Sequence, residues 1–209
     1  MGLFGAKGID EALQRQGERL RLAEADAADL RIRLGETREL VALLDGDRNL
    51  LLAALERLRP GLGPQALSEA LLEICFKPLG LACFYVALAD WEADQLRFVL
   101  YHEGGRARPH PSRNLSGHAG LSERVLESGQ PLYIRTLEEG LASGSLLTAA
   151  EQATGLIPHS WYGVPMGWGE RPMGLVSFQS FQTDAFDEDR RRIMAALVRI
   201  LALGLVQSR

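Results

Sequence analysis

From Leu13 onward, apolar residues recur with a period of seven. With position a at residues 13, 20, 27, 34, 41, 48 and 55, and position d at 16, 23, 30, 37, 44, 51 and 58, eleven of the fourteen seam positions are apolar in one unbroken register. A repeat of seven keeps one helical stripe facing a partner helix, so the spacing predicts a coiled-coil helix over residues 1–59. Its seam residues are Leu13, Leu20, Leu30, Leu34, Val41, Leu44, Leu51, Leu55 and Leu58. In a parallel dimer the flanking charges bring Arg19 to Glu24 and Asp26 to Arg31, both attractive, and oppose only Arg33 with Arg38, which favours a parallel homodimer. Leu40, Leu43, Leu50 and Leu52 lie off the seam and widen the apolar face, so this end is expected to pack on further helices, in a bundle or on the following domain. Gly17, Gly35 and Gly46 each cost about 1 kcal/mol relative to Ala in a helix interior and are the weak points of its continuity.

The stretch PGLGP, Pro60 to Pro64, breaks this pattern and opens a second segment, residues 60–209. Pro64 suits the first turn of a helix whose apolar stripe is Leu67, Ala70, Leu71, Ile74 and Cys75. LACFYVALA (Leu81 to Ala89) and QLRFVLYH (Gln95 to His102) then read as a strand hairpin, followed by a loop, EGGRARPHPSRN. GHAGLSERVLESGQPLYI predicts a short helix stopped at Gly129 and a strand at Pro131 to Ile134. The Gly- and Ser-punctuated stretch from Thr136 to His159 shows only a weak helical stripe, Leu146, Leu147 and Ala150, and loops of this size in compact domains tend to be functional. SWYGVPM and MGLVSFQSF predict two strands around the turn GWGERP. A final helix is expected to be capped by Asp184, with Asp187, Glu188 and Asp189 at the positive end of its dipole, and to run to about Gln207.

Composition narrows the function classes. A net charge of -4 lacks the clustered basic surface of nucleic-acid binders. The most apolar stretch, Ile193 to Val206, is shorter than the roughly 20 residues of a membrane span and is interrupted by Arg199. The first residues, MGLFGAKG, lack a signal-peptide core, so a soluble, cytoplasmic protein with neither a nucleic-acid nor a membrane partner is expected. Cys75 and Cys83 sit in apolar runs without metal-binding spacing and read as buried free thiols. His102, His110, His118 and His159 form no ligand cluster, so no metal site is expected.

His159 and Ser160 are adjacent, which invites a catalytic dyad. Neighbouring residues of a strand point to opposite faces, and a base must reach its nucleophile, so no catalytic residue is assigned. The same alternation puts Ser160, Tyr162 and Val164 on one face of their strand, and Ser177 and Gln179 on one face of the next. Polar groups in apolar strands need partners, which a small ligand, water, a neighbouring loop or solvent can supply. Ser160, Tyr162, Ser177 and Gln179, with Tyr85 and Tyr133, are therefore the candidate ligand-binding residues.

The order of these elements, and the residues in two blocks, resemble the GAF domain family. Gly117 to Ile134 is similar to the family's glycine-led helix and following strand, and Ser160 to Val198 to its S-x-x-x-V-P-L strand, short turn, G-x-L-x-x-x-S strand and F-x-x-x-D helix start. The resemblance covers residues 62–207 and implies an α+β fold: an antiparallel sheet of five or six strands with flanking helices, a ligand pocket, and helices that form a parallel dimer bundle. It further implies a regulatory, non-catalytic role, sensing a small molecule or a protein. Bilin attachment needs a cysteine near the pocket loops, sulfoxide reduction needs several, and haem needs a placed histidine; none of these patterns is present, so no cofactor is assigned. FDED, Phe186 to Asp189, matches only the tail of the cyclic-nucleotide motif. No kinase, cyclase or DNA-binding pattern follows in the given sequence, so the expected output is either a separate signalling protein or another part of a larger system of which this chain is one piece. A ligand-free dimerisation scaffold is the alternative, and a redox enzyme of the sulfoxide-reductase type a third.

The heptads carry a direct test. Light scattering at micromolar concentration is expected to give a dimer of the 22.9 kDa chain, and Leu34→Glu with Val41→Glu a monomer. A wild-type monomer would end the coiled-coil reading.

Overall fold

The computed structural model describes residues 3–117, 120–145, 149–167 and 171–207, with the side chains of residues 3–13, 15, 149 and 150 undescribed. His118, Leu146, Leu147, the tip of the GWGERP turn and the side chains of Leu13 and Ala150 thus lie outside the described residues. Contacts divide the chain into Met1–Arg48 and Asn49–Arg209.

The first unit is helical, part of a helix α1 that spans Leu3–Arg57. On the single chain the predicted seam is open: Leu20, Leu30, Leu34, Val41 and Leu44 are all at least half exposed. An ion pair within the helix joins Arg33 Nε to Asp29 at 2.9 Å, so Arg33 already has an opposite charge beside it.

The second unit begins with the last turns of α1, where Leu50, Ala54 and Leu58 are buried at i, i+4, i+8 spacing. They join a core with Leu67 and Leu71 of α2 (Pro64–Cys75) and with Met194, Leu197 and Leu201 of α6 (Glu188–Gln207). Leu58, a predicted seam residue, belongs to this core, and Leu51 packs against it; only Leu55 of the last three seam leucines stays mostly exposed. Of the four leucines that widen the apolar face, only Leu50 has the helical neighbours its pattern called for; Leu40, Leu43 and Leu52 stay exposed. The α6 cap is Asp187, whose carboxylate accepts the N–H of Arg190 at 2.8 Å. Asp184, the residue expected there, instead adopts φ 51° and accepts the Tyr133 hydroxyl at 2.9 Å. A cap serves the N–H three residues on, and only Asp187 stands at that offset from the first turn.

The sheet is antiparallel. β1 (Cys83–Asp90) pairs with β2 (Gln95–Glu103) on one side and, on the other, with the late strand β7 (Gly174–Ser180). β6 (Ser160–Met166) and β5 (Leu132–Ile134) continue beyond β7. Two short strands, β3 (Arg106–Ala107) and β4 (Arg113–Asn114), share the outer edge of β2, one at each end. The segment that reads as a loop from its Gly and Pro content therefore contributes two edge strands, which complete a seven-stranded sheet in an α+β fold. The remaining helices are α3 (Leu121–Ser128), α4 (Leu137–Ala142) and α5 (Ala149–Thr154). Gly129, left-handed at φ 61°, stops α3 as its sequence predicts. Among the described residues no helix is long and apolar enough to cross a membrane.

Alternation sorts the strand residues onto two faces. Phe84, Val86, Tyr162, Val164, Val176 and Phe178 face the helical core of α1, α2 and α6. Tyr85, Ala87, Trp161 and Leu175 form a second core on the other face with Leu121, Val125 and Leu126 of α3. On that face Trp161 lies over Gly163: a Cβ built there would come within 2.0 Å of the indole ring. Gly163→Ala is therefore expected to cost about 1–3 kcal/mol through overpacking, read as a lower denaturant midpoint. An unchanged midpoint would mean the indole can swing away freely.

Candidate functional site

Two cross-strand rows build the floor on the α3 face. One runs Leu132, Gly163, Ser177, Tyr85 and Tyr101; the other runs Ile134, Trp161, Gln179, Cys83 and Glu103. The small residues Gly163 and Ser177 leave the middle of the first row low. Trp161 leans into that space from one side, and the two tyrosines stand on the other. Their rings stack at 5.7 Å with planes 9° apart, and Phe98 meets Tyr85 edge-on at 5.4 Å.

Residues from outside the central strands form the walls. His110, in the Pro-rich segment, packs on Phe98 at 4.0 Å and on Tyr101 at 4.6 Å. Arg113 of β4 stands 5.3 Å over the Phe98 ring and donates to Glu123 of α3 at 2.9 and 3.3 Å. Glu123 is 2% exposed, and its carboxylate folds back over Gly120 at the start of α3. Breaking this pair would leave a deeply buried carboxylate without its hydrogen-bond partner, which is costly. Ser122 and the Tyr85 hydroxyl share a hydrogen bond of 2.8 Å, and α5 contributes Glu151, also buried.

Together these groups enclose a cavity of about 170 Å³, with Gln179 and Trp161 in its floor. Of the six candidate ligand-binding residues, Tyr85 and Gln179 line it. Ser177 lies fully buried beside them, its hydroxyl accepting from Gln179 Nε2 at 3.1 Å. Tyr133 and Tyr162 stand on the opposite face, edge-to-face at 6.0 Å and next to Phe186 and Phe178. Ser160 is buried and donates to the carbonyl of Gln182 at 2.9 Å, so its need for a partner is met within the chain. The residue of β6 that faces the cavity is Trp161, one step out of phase with Ser160 and Tyr162. Phe98, Tyr101, Arg113, Glu123 and Glu151 were also not picked out. Their only sequence signal is the strand alternation of Phe98; the bulge in the β1–β2 register after Val86, seen only in the structure, brings Tyr101 to the same face.

The titratable groups follow their burial. Burial pushes the Tyr85 hydroxyl up, against its hydrogen bonds and the nearby Arg113 charge. The Tyr101 hydroxyl is pushed up by burial first and then by Glu103 and Glu151. Cys83 is pushed up to about 12 by burial, then by the same two carboxylates, and burial also raises Cys75. Both thiols are free. Among the described residues no group of three His, Cys, Asp or Glu side chains could hold a metal ion.

Comparison with known proteins agrees with this architecture. No curated protein matches the sequence. A free methionine-R-sulfoxide reductase from Neisseria meningitidis, solved with its substrate, superimposes with a TM-score of 0.63 at 16% identity, over 78% of this chain and 90% of that one. The GAF domain of an Acinetobacter phosphoenolpyruvate-protein phosphotransferase gives 0.60 at 18% identity, over 79% and 93%. The A. aeolicus nlh2 GAF domain in an inactive state gives 0.61 at 15%, over 78% and 98%. At these identities the likeness is one of fold. The family model for the GAF domain matches residues 61–206, most of the chain, and the protein belongs to the GAF domain family.

Proposed function

We propose that this protein is a dimeric, non-catalytic regulatory module whose GAF domain senses a small molecule and whose helices carry the signal to a separate output protein. The observation that carries this reading is the cavity on the α3 face: polar groups held at fixed angles among aromatic walls, the usual make-up of a small-molecule site. The exposed leucine stripe of α1 supports the dimeric part, because leucines repeated at heptad spacing are covered by a second helix when one is available.

The structural neighbours whose fold this chain shares include sulfoxide reductases, which makes a cysteine enzyme the rival reading. The thiolate, not the thiol, is the nucleophile, and burial holds both thiols here in the neutral form at physiological pH. That favours the non-catalytic role.

A thermal-shift screen of nucleotides, amino acids, amines and carboxylates on the full chain tests the sensor. A ligand at 100 times its Kd adds about 2.7 kcal/mol, expected to raise the melting midpoint by roughly 5–10 °C in a domain of this size. No shift with any class would favour a ligand-free scaffold. Sulfoxide reduction that disappears in the Cys75→Ala, Cys83→Ala double variant would overturn the non-catalytic reading.

A further inference from the structure

Resting on that reading, we infer that the cavity takes a small uncharged molecule with a cis-amide edge, an N–H beside a C=O as in a lactam, a cyclic urea or an imide, and that Gln179 selects it. The volume of about 170 Å³ is of the order that admits benzene, so the guest has roughly six to eight non-hydrogen atoms.

Gln179 is 7% exposed and lines both this cavity and a smaller one beside it, of about 40 Å³. Its carboxamide carries two N–H donors and one carbonyl oxygen. One N–H goes to the Ser177 hydroxyl at 3.1 Å, and Ser177 gives its own hydrogen to the Tyr85 hydroxyl, so the amide nitrogen stands against the serine and the oxygen points elsewhere. The second N–H and the oxygen make no other hydrogen bond among the described residues. The only side-chain nitrogen or oxygen there that is both sealed off and unpaired is Nδ1 of His102, so the free edge of Gln179 opens into the cavity space. A donor and an acceptor side by side on one planar group match a guest that presents the reverse pair, as a glutamine matches the edge of adenine.

The other guest classes fit worse. Arg113 is matched by Glu123, Glu151 is engaged within the chain, and Glu103, next to Cys83 in the floor row, faces Arg108 at 3.9 Å. A charged guest of either sign would have to break one of these pairs or stay unpaired, and both are costly in a buried site. The faces of Phe98 and Tyr101 are covered by Arg113 and His110, which leaves hydrogen bonding as the means of selection. A purely apolar guest would strip water from the free edge of Gln179 and return nothing.

The test is calorimetric titration of the full chain with 2-piperidone, against cyclohexanone, in which a CH₂ replaces the ring N–H, and piperidinium, which has the ring and a charge but no carbonyl. 2-Piperidone is expected to bind saturably, one per chain, about 10-fold or more tighter than either analogue. Gln179→Met keeps the length of the side chain and removes its amide edge, and is expected to bring 2-piperidone down to the level of cyclohexanone while leaving cyclohexanone unchanged, with circular dichroism confirming the fold. Ser177→Ala, which frees the amide to turn, is expected to weaken 2-piperidone about 3-fold and cyclohexanone not at all. Equal affinity for 2-piperidone and cyclohexanone, no saturable binding of 2-piperidone, or a preference that survives Gln179→Met would each overturn the inference; the first two need no variant. The screen above separates the outcomes: a charged ligand whose thermal shift is unchanged in Gln179→Met leaves the sensor standing and removes the amide guest, whereas no shift from any class and no binding of 2-piperidone remove both.

Discussion

Neither face of the three central strands is wet, and most of the architecture follows from that. Every residue of β7 is buried, as are all but Pro165 in β6 and the first five residues of β1. A sheet buried on both sides needs two covers, because each strand presents alternate side chains to each face. One cover is a layer of apolar helices, α2, α6 and the last turns of α1, which share one core with the sheet. The other is α3 with the segments around it, built from short helices and loops. Short elements cannot tile a face as closely as a 20-residue helix does, and the cavity is the space they leave.

That space is lined by groups which would be costly to leave there unpaired. Tyr85 is held by Ser122, Gln179 by Ser177, and Glu123 by Arg113, so most of the polarity of the cavity is engaged before any guest enters. Such a network resists reorganisation, since removing one partner leaves the other buried and unsatisfied. It gives the site a fixed shape. The same burial pushes up the thiol of Cys83, the cross-strand partner of Gln179.

The fold was legible because its signals are local. SWYGVPM spans the observed β6 residue for residue, Gly129 ends α3 through a backbone angle that glycine reaches without strain, and PGLGP separates α1 from α2. The site was legible only in part, for one physical reason. Period-two alternation assigns residues to two faces but names neither, and where both faces are apolar nothing distinguishes the cavity side from the helix side. Ser160 and Tyr162 carried the visible polarity, yet Trp161 faces the cavity. Arg113 and Glu123 meet through a turn of the chain that places an edge strand against the start of a helix, a contact invisible in spacing alone. The heptad pattern had a similar ambiguity at Leu58, where an unbroken repeat runs on into residues that pack against α2 and α6.

One backbone serves both faces, and this bears on how a site in the second core can influence the first. Trp161 stands in the cavity floor while Tyr162, the next residue, packs against Tyr133 and Phe178. Arg191 of α6 stands 4.5 Å over the Tyr133 ring. The indole cannot settle deeper, because it already rests on Gly163, where even a methyl group has no room. Any displacement of the indole would therefore have to be a sideways rotation or a movement of β6 itself. Close-packed interiors transmit displacement rather than absorb it. A shift of β6 would move Tyr162 and Val164 relative to α6, which shares its core with the last turns of α1. Such a shift would pass from the cavity side to the helix side through the thickness of a single strand, with Gly163 leaving the indole no room to absorb it from below.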